Sequence, residues 1–315
     1  MVLVAVFFLR VNSTAADTLF VSAKVNGNYR TVQDAVNQVP SFNKHRLVIF
    51  IRNGVYREKL LIDSSKTNIK LIGESADSVI IVFNDHTGKV KLPNDTINTR
   101  NSYSVLICPF GFIAENISFS NDAGFTAGQA VAAEVRSDHS VFLNCRFTGF
   151  QDVLFANADQ SLQYYKDCTI EGTTDFIFGS ATCYFEHCTI YCKKNSHITA
   201  ASTPENNKYG FVFHKCRIRG DSNLHQVSLG RPWRPFAKVT YIDCSMDAII
   251  RPEGWSVWNK TDHHLTSYFA EYHSYGPGAN DGSRLAWCHI LQDSDVEHYS
   301  PENVLGKWAT QMQLP

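Results

Sequence analysis

Asp152 and Asp175 lie 23 residues apart, and Gln129 lies a further 23 residues before Asp152. Each opens a short apolar run: Gln129-Ala-Val-Ala, Asp152-Val-Leu-Phe and Asp175-Phe-Ile-Phe. A constant offset between like segments is the mark of a stacked chain, with corresponding side chains in one column on successive turns. Two carboxylates and an amide about one strand spacing apart, roughly 5 Å, are poised to share a proton, which is the arrangement of a catalytic site. The bland alternative is that Asp and Gln at repeat corners cap turns or form polar ladders. For Gln151 the two readings weigh equally. For Asp175 the catalytic reading is the stronger, because a charge opening an apolar strand is costly to bury.

The elements that must position these residues follow from the same periodicity. A polar residue, Cys, any residue and an apolar residue recur at Asn144–Phe147, Asp167–Ile170, His187–Ile190, Lys215–Ile218 and Asp243–Met246, and Asn116–Phe119 fits with Ile for Cys. The intervals of 28, 23, 20, 28 and 28 residues are those of a solenoid, whose units cannot bury their own faces and must stack. Apolar residues alternate over short stretches rich in Val, Ile, Phe and Tyr, which reads as strands. Leucine-rich repeats share the period but need a Leu ladder that is missing here. The fold expected is all-β, a right-handed parallel β-helix with short capping helices. Leu47–Ile51, Ile69–Ile72 and Val79–Phe83 read as its early strands. Val32, Ala35, Val36 and Val39 share a helical face ended by Pro40, suited to cover the first coil. Ser300-Pro301-Glu302 starts a second helix, expected to run to about Ala309.

Composition narrows the function. A formal charge of −1 offers no basic field for nucleic acid or an anionic membrane. Val2–Leu9 is too short to span a bilayer. Followed by Ser13-Thr-Ala-Ala16, it reads as a secretory signal peptide over residues 1–16. A single domain is then expected over 17–315, and the protein is expected to be secreted or periplasmic. The nine cysteines suggest disulfides in an exported protein, yet the repeat makes Cys145, Cys168, Cys188, Cys216 and Cys244 inward fillers of the coil. Cys183, Cys188 and Cys192 with His187 match no common zinc spacing, so no metal is expected. The sequons at Asn12, Asn94, Asn116 and Asn259 read as chance matches, Asn116 because it falls in the strand frame.

Five motifs in order, Gly54-Val-Tyr-Arg-Glu58, Gly128-Gln-Ala-Val-Ala132, Gly149-Phe-Gln-Asp-Val-Leu154, Asp175-Phe-Ile-Phe-Gly179 and Leu229-Gly-Arg-Pro-Trp233, resemble the pectin methylesterases. The likeness covers Thr31 to Trp308. The extended Asn157–Gln163 turn and the lack of a long pro-region resemble bacterial members more than plant ones.

The resemblance implies that methyl-esterified homogalacturonan is the substrate, that no cofactor is needed, and that the protein acts as a monomer. It implies Asp175 as nucleophile, Asp152 as general acid and then base, and Arg231 as the cation that keeps Asp175 ionised. Gln129 and Gln151 would donate to the oxyanion, and Trp233 would stack on a sugar. Phe125, Phe155 and Phe178 would line the groove or simply pack. Tyr56 and Glu58 read as architectural. Val153 stands where the family commonly has Thr, and Ala132–Arg136 departs from its usual wording. Three alternatives remain: a thioesterase or other acyl esterase on the same scaffold, a polygalacturonan-cleaving β-helix enzyme, and a non-catalytic polysaccharide-binding module.

Overall fold

The computed structural model describes residues 18–24 and 27–311. The stretch read as a signal peptide, the Asn12 sequon with it, lies outside the described residues.

Three parallel sheets of 11, 8 and 7 strands wrap one interior, and a two-stranded hairpin, Val90–Leu92 with Asp95–Thr96, stands apart from them. Each coil visits the sheets in turn, as in Ser140–Leu143, Arg146–Thr148 and Leu154–Ala156. Successive coils pair in parallel, which the right-handed β-helix requires of crossovers in one sense.

The repeated signature has a direct structural meaning. Its polar residue directly follows a first-sheet strand and adopts left-handed backbone: Asn116, Asn144, Asp167, His187, Lys215, Asp243 and His273 all have φ between 46 and 56°. Asn, Asp and His tolerate that conformation better than most side chains. It turns the chain so that the next residue points inward. Cys145, Cys168, Cys188, Cys216 and Cys244 are accordingly buried. Each thiol donates to a carbonyl of the preceding coil, as Cys168 does to Phe142 at 3.4 Å. All nine cysteines are free thiols. Asn116 therefore lies in a turn, not within a strand as its frame suggested, and its side chain accepts from Asn144 Nδ2 at 2.7 Å.

Beside the thiols runs an aromatic ladder. Phe142, Tyr165, Phe185, Phe213 and Tyr241 stack with centroids 4.5 to 4.9 Å apart and nearly parallel rings. In-register stacking is forced by parallel pairing, and offset-stacked rings add to the burial energy.

Both ends are closed. Helix Val32–Gln38, capped by Thr31, buries Val32, Ala35 and Val36 against the first coil, each buried valine contributing about 1.5–3 kcal/mol. Glu58 accepts from the free N–H groups of Val32 and Gln33, both at 2.8 Å, so it anchors this cap. At the far end Trp255 Nε1 donates to Glu271 (3.0 Å), which also pairs with the buried Arg284 (2.8 Å). The C-terminal helix differs from expectation. It runs as Pro301–Leu305 and then Trp308–Gln311, interrupted at Gly306 (φ 82°). Val304, Leu305 and Ala309 pack on Tyr164, Tyr184 and Val212 of the first sheet's outer face.

The expected long turn at Asn157–Gln163 is shorter: Leu162 and Gln163 already belong to strand Leu162–Lys166.

Candidate active site

The site is built on the outward face of the third sheet. Residues alternate in and out along a strand, and register places Glu134, Phe155, Phe178, Ala200 and Arg231 in one outward row on successive coils. Phe155 and Phe178 stack at 4.3 Å and form an apolar floor. Ala200 is the smallest member of the row, and this lets Arg231 lie back over it toward the previous coils. Its guanidinium makes a bidentate pair with Asp175, Nε to Oδ1 at 3.0 Å and Nη2 to Oδ2 at 2.6 Å. Trp258 covers the guanidinium, 4.2 Å from ring centre to Cζ.

The two aspartates enter the third sheet from left-handed backbone, Asp152 at φ 62° and Asp175 at φ 49°. Backbone bonds hold them there: Asp152 N–H donates to Thr174 (3.1 Å) and Asp175 N–H to His197 (2.7 Å). His197 is itself pinned by a 2.6 Å bond between Nδ1 and Ser228 Oγ, and burial drives its pKa down to about 3, so it stays neutral. Sparsely populated backbone of this kind clusters where function requires it.

Electrostatics separates the pair. Asp152 is 8% exposed and Asp175 5%, so burial opposes ionisation of both. For Asp152 burial and the neighbouring Asp175 push the pKa well above the carboxylate range, against a smaller pull from Arg231 and a hydrogen bond with Gln151. For Asp175 burial also raises the pKa, but the Arg231 hydrogen bonds and charge resist it. Both carboxyls are pushed upward, Asp152 the more strongly, because Arg231 stabilises the ionised form of Asp175 directly.

Gln129 departs from its expected place. It bridges Gln151, a step of 22 residues, and the next pairing, Ala133 with Leu154, is a step of 21. The slip occurs at Val153, whose carbonyl accepts from both Ala132 N–H (2.9 Å) and Ala133 N–H (3.2 Å). Gln129 is thus registered beside Gln151 rather than Asp152. Both amides line a cleft of about 420 Å³ with Asp152, Asp175, Arg231 and Trp233. Trp233 meets Phe178 edge-on at 6.0 Å, under the Arg234 guanidinium. Phe125 lies outside this lining, exposed and 5.8 Å from Phe150.

Sequence reasoning missed Thr99, Arg100, Arg234 and Trp258 of the lining. Arg234 adjoins the Trp233 motif and was within reach, whereas the others sit on non-repeating connections that give no periodic signal. Among the described residues no group of three or more His, Cys, Asp or Glu could hold a metal ion, and no helix is long and apolar enough to cross a membrane.

The sequence model of the family described as Pectinesterase matches residues 18–307. Pectinesterase 31 of Arabidopsis thaliana is 38% identical over 89% of this chain and 89% of its own length. Several longer plant relatives are 33–37% identical, and the chain spans about half their length. The carrot pectin methylesterase structure superposes with a TM-score of 0.88 at 32% identity, covering 96% of this chain and 98% of the other. Pectin methylesterase PemA from Erwinia chrysanthemi gives 0.83 at 28%, covering 94% and 98%. The curated relatives above are plant proteins, so the leaning toward bacterial members is unsupported, and the turn on which it partly rested proves short. A parallel β-helix carrying this paired carboxylate cleft, matched along almost its whole length, belongs to the pectinesterase family.

Proposed function

We propose that Asp175 and Asp152 remove methyl esters from the galacturonate units of pectin through a covalent intermediate. The observation that carries this reading is the bidentate Arg231–Asp175 pair beside an Asp152 that burial keeps protonated. Asp175, ionised and aimed, attacks the ester carbonyl carbon. The oxygen becomes an oxyanion and accepts from the Gln129 and Gln151 amides. Collapse breaks the bond to methoxide, which takes the Asp152 proton and leaves as methanol. The acyl group now forms an anhydride with Asp175. Asp152, now a carboxylate, draws a proton from water, whose oxygen attacks the acyl carbon. The second collapse returns the Asp175 carboxylate and releases the free galacturonic acid, with Asp152 again protonated. Water and ester in, acid and methanol out, the cycle balances without a cofactor.

Phe155, Phe178 and Trp233 supply an apolar floor and edge suited to sugar faces. The neighbouring-rung placement of the carboxyls argues against chain cleavage by inversion, which needs about 6.5–9.5 Å between them. The protein is proposed to act as an exported monomer, since its polymer substrate lies outside the cell membrane. Incubation with methylated pectin decides the matter: methanol should appear with no fall in chain length. Chain shortening, or release from a thioester but not from pectin, would overturn the reading.

A further inference from the structure

We propose that Asp85 is a positioning residue for the reaction, a buried anion that holds Gln129 and the Thr99–Arg100 lip of the cleft in place. The proposal rests on the reading of Gln129 as an oxyanion donor.

Asp85 lies two residues beyond strand Val79–Phe83 and is 1% exposed. A buried charge is retained only where partners surround it, and three lysines do so. Lys59 Nζ is 2.8 Å from Oδ2, Lys89 Nζ 3.0 Å from Oδ1, and Lys91 Nζ 3.6 Å from Oδ2. Burial alone would raise the Asp85 pKa, but Lys59 and Lys89 bring it below the ordinary value, so it stays charged.

From this anion two routes lead to the cleft. Lys59 also donates to the carbonyl of Asn101 and lies over the Tyr103 ring at 4.6 Å. Asn101 closes the turn Thr99–Asn101, and Thr99 and Arg100 line the same cleft as Gln129 and Gln151. The second route is backbone. The Asp85 carbonyl accepts from Asn121 Nδ2 at 2.9 Å, and the same amide group reaches Val131 O (3.1 Å) and Ser102 O (3.3 Å). Two residues past Asp85, Thr87 N–H donates to the Gln129 carbonyl at 2.8 Å, and its hydroxyl meets that of Thr99 at 3.1 Å.

Gln129 itself lies outside any regular strand and is held, among the described residues, by its isolated bridge to Gln151 and by the Thr87 bond. Its orientation thus depends on the segment that Asp85 anchors. An amide aligned with an oxyanion acts mainly in the transition state, and small displacements are costly there.

The test is Asp85→Asn, which keeps the shape and removes the charge. The expected result is a fall of about tenfold in turnover on methylated pectin with KM within twofold. Amide hydrogen exchange should quicken over residues 84–102 while residues 140–147 keep their protection. In a Gln129→Ala background the same substitution should cost less than threefold, because its target is gone. Lys59→Met should reproduce the effect, and Lys89→Met, which weakens the Asp85 pair but leaves the Lys59 bond to Asn101 in place, should cost less turnover than Lys59→Met. Unaltered exchange over 84–102, or a full tenfold loss persisting without Gln129, overturns the proposal. If Gln129→Ala alone leaves turnover intact, the oxyanion assignment fails separately, and the exchange result still decides whether Asp85 positions the lip. A variant that does not fold is replaced by Lys59→Met, judged by the same exchange and turnover criteria.

Discussion

The chain uses left-handed backbone in two columns, and they do opposite things. Along the turn that follows the first sheet, seven polar residues from Asn116 to His273 take it up, most with their side chains toward solvent, and six of them are followed by a buried residue, Ile117 once and Cys five times. At the entrance to the third sheet, Asp152 and Asp175 alone among the described corresponding residues take it up. There the side chain is buried and charged or protonated rather than solvated. The first column spends a tolerable conformation on making a corner, repeated wherever a corner is needed. The second concentrates the same conformation with desolvation and a like charge, costs that a purely structural turn has no reason to accept. Repetition marks architecture here, and its interruption marks chemistry.

The sharpest way to break this contrast is to remove the carboxylates. Asp175→Asn should lower turnover by about 10⁴-fold or more, as loss of a nucleophile does, with no methanol burst. Asp152→Asn should lose about 10²–10⁴-fold and accumulate acyl-enzyme, since attack can proceed but water is not activated. Near-native turnover in Asp175→Asn with a dead Asp152→Asn enzyme would reverse the two roles.

The same substitution has an opposite effect on stability. The folded-state pKa of Asp152 is raised, so the native protein keeps a proton that the unfolded chain has released. Stability contributed by that proton is complete below the ordinary carboxylate value of about 3.9 and is lost as pH climbs toward the raised one. Asp152→Asn should therefore have a higher urea midpoint than the parent at pH 7, with the gap closing toward about pH 4. Equal midpoints at both pH values would mean that the second column stores no such cost. In activity, the basic limb of the pH profile belongs to deprotonation of Asp152. The acid limb belongs to Asp175, and weakening its Arg231 partner should move that limb upward.

Much of this contrast was legible beforehand. Parallel pairing holds equivalent residues at a near-constant offset, so the Cys column and the Asp152–Asp175 step could be counted. Counting failed where the coil slips: at Val153 the register moves from 22 to 21, and Gln129 goes to Gln151 instead. Trp258 and the Thr99–Arg100 lip escaped for the same reason, because they lie on insertions whose placement depends on tertiary bonds such as those of Lys59 and Thr87. The break at Gly306 could have been suspected from the glycine itself, a common helix terminator.

Two smaller effects test the apolar partners of each column. Cys168→Ser puts a hydroxyl in place of a thiol that bonds the Phe142 carbonyl, and should destabilise by about 1–3 kcal/mol while turnover stays native. The parent thiols Cys145, Cys168, Cys188, Cys216 and Cys244 should resist alkylation until the protein unfolds; rapid native labelling would exclude the inward stack. At the cleft, Trp233→Ala removes a ring worth about 0.5–1.5 kcal/mol. It should raise KM by a few-fold to tenfold and leave turnover nearly unchanged, since stacking acts on ground and transition states alike. Trp258 stacks on Arg231 and Trp233 meets Arg234 and Phe178, so a loss confined to turnover would reassign Trp233 to positioning the charged groups of the cleft.

The least change is expected at a corner. Asn144 (φ 48°) donates through its side chain to Asn116 at 2.7 Å, and it is far from the cleft in the coil's cross-section. Asn144→Ala retains the turn but places a β-carbon in the left-handed region without a polar group to compensate, at a cost of about 1–2 kcal/mol. Asn144→Gly loses the same hydrogen bond yet carries no steric penalty, so it should be the more stable of the two. Neither should alter turnover. Asp175→Gly makes the matching change in the other column: the backbone is relieved, the fold is kept and the activity disappears. If the alanine variant proved as stable as the glycine one, left-handed geometry would not be what selects polar residues at these corners. If either Asn144 variant lost activity, the two columns would be coupled through the coil and the division between architecture and chemistry would fail.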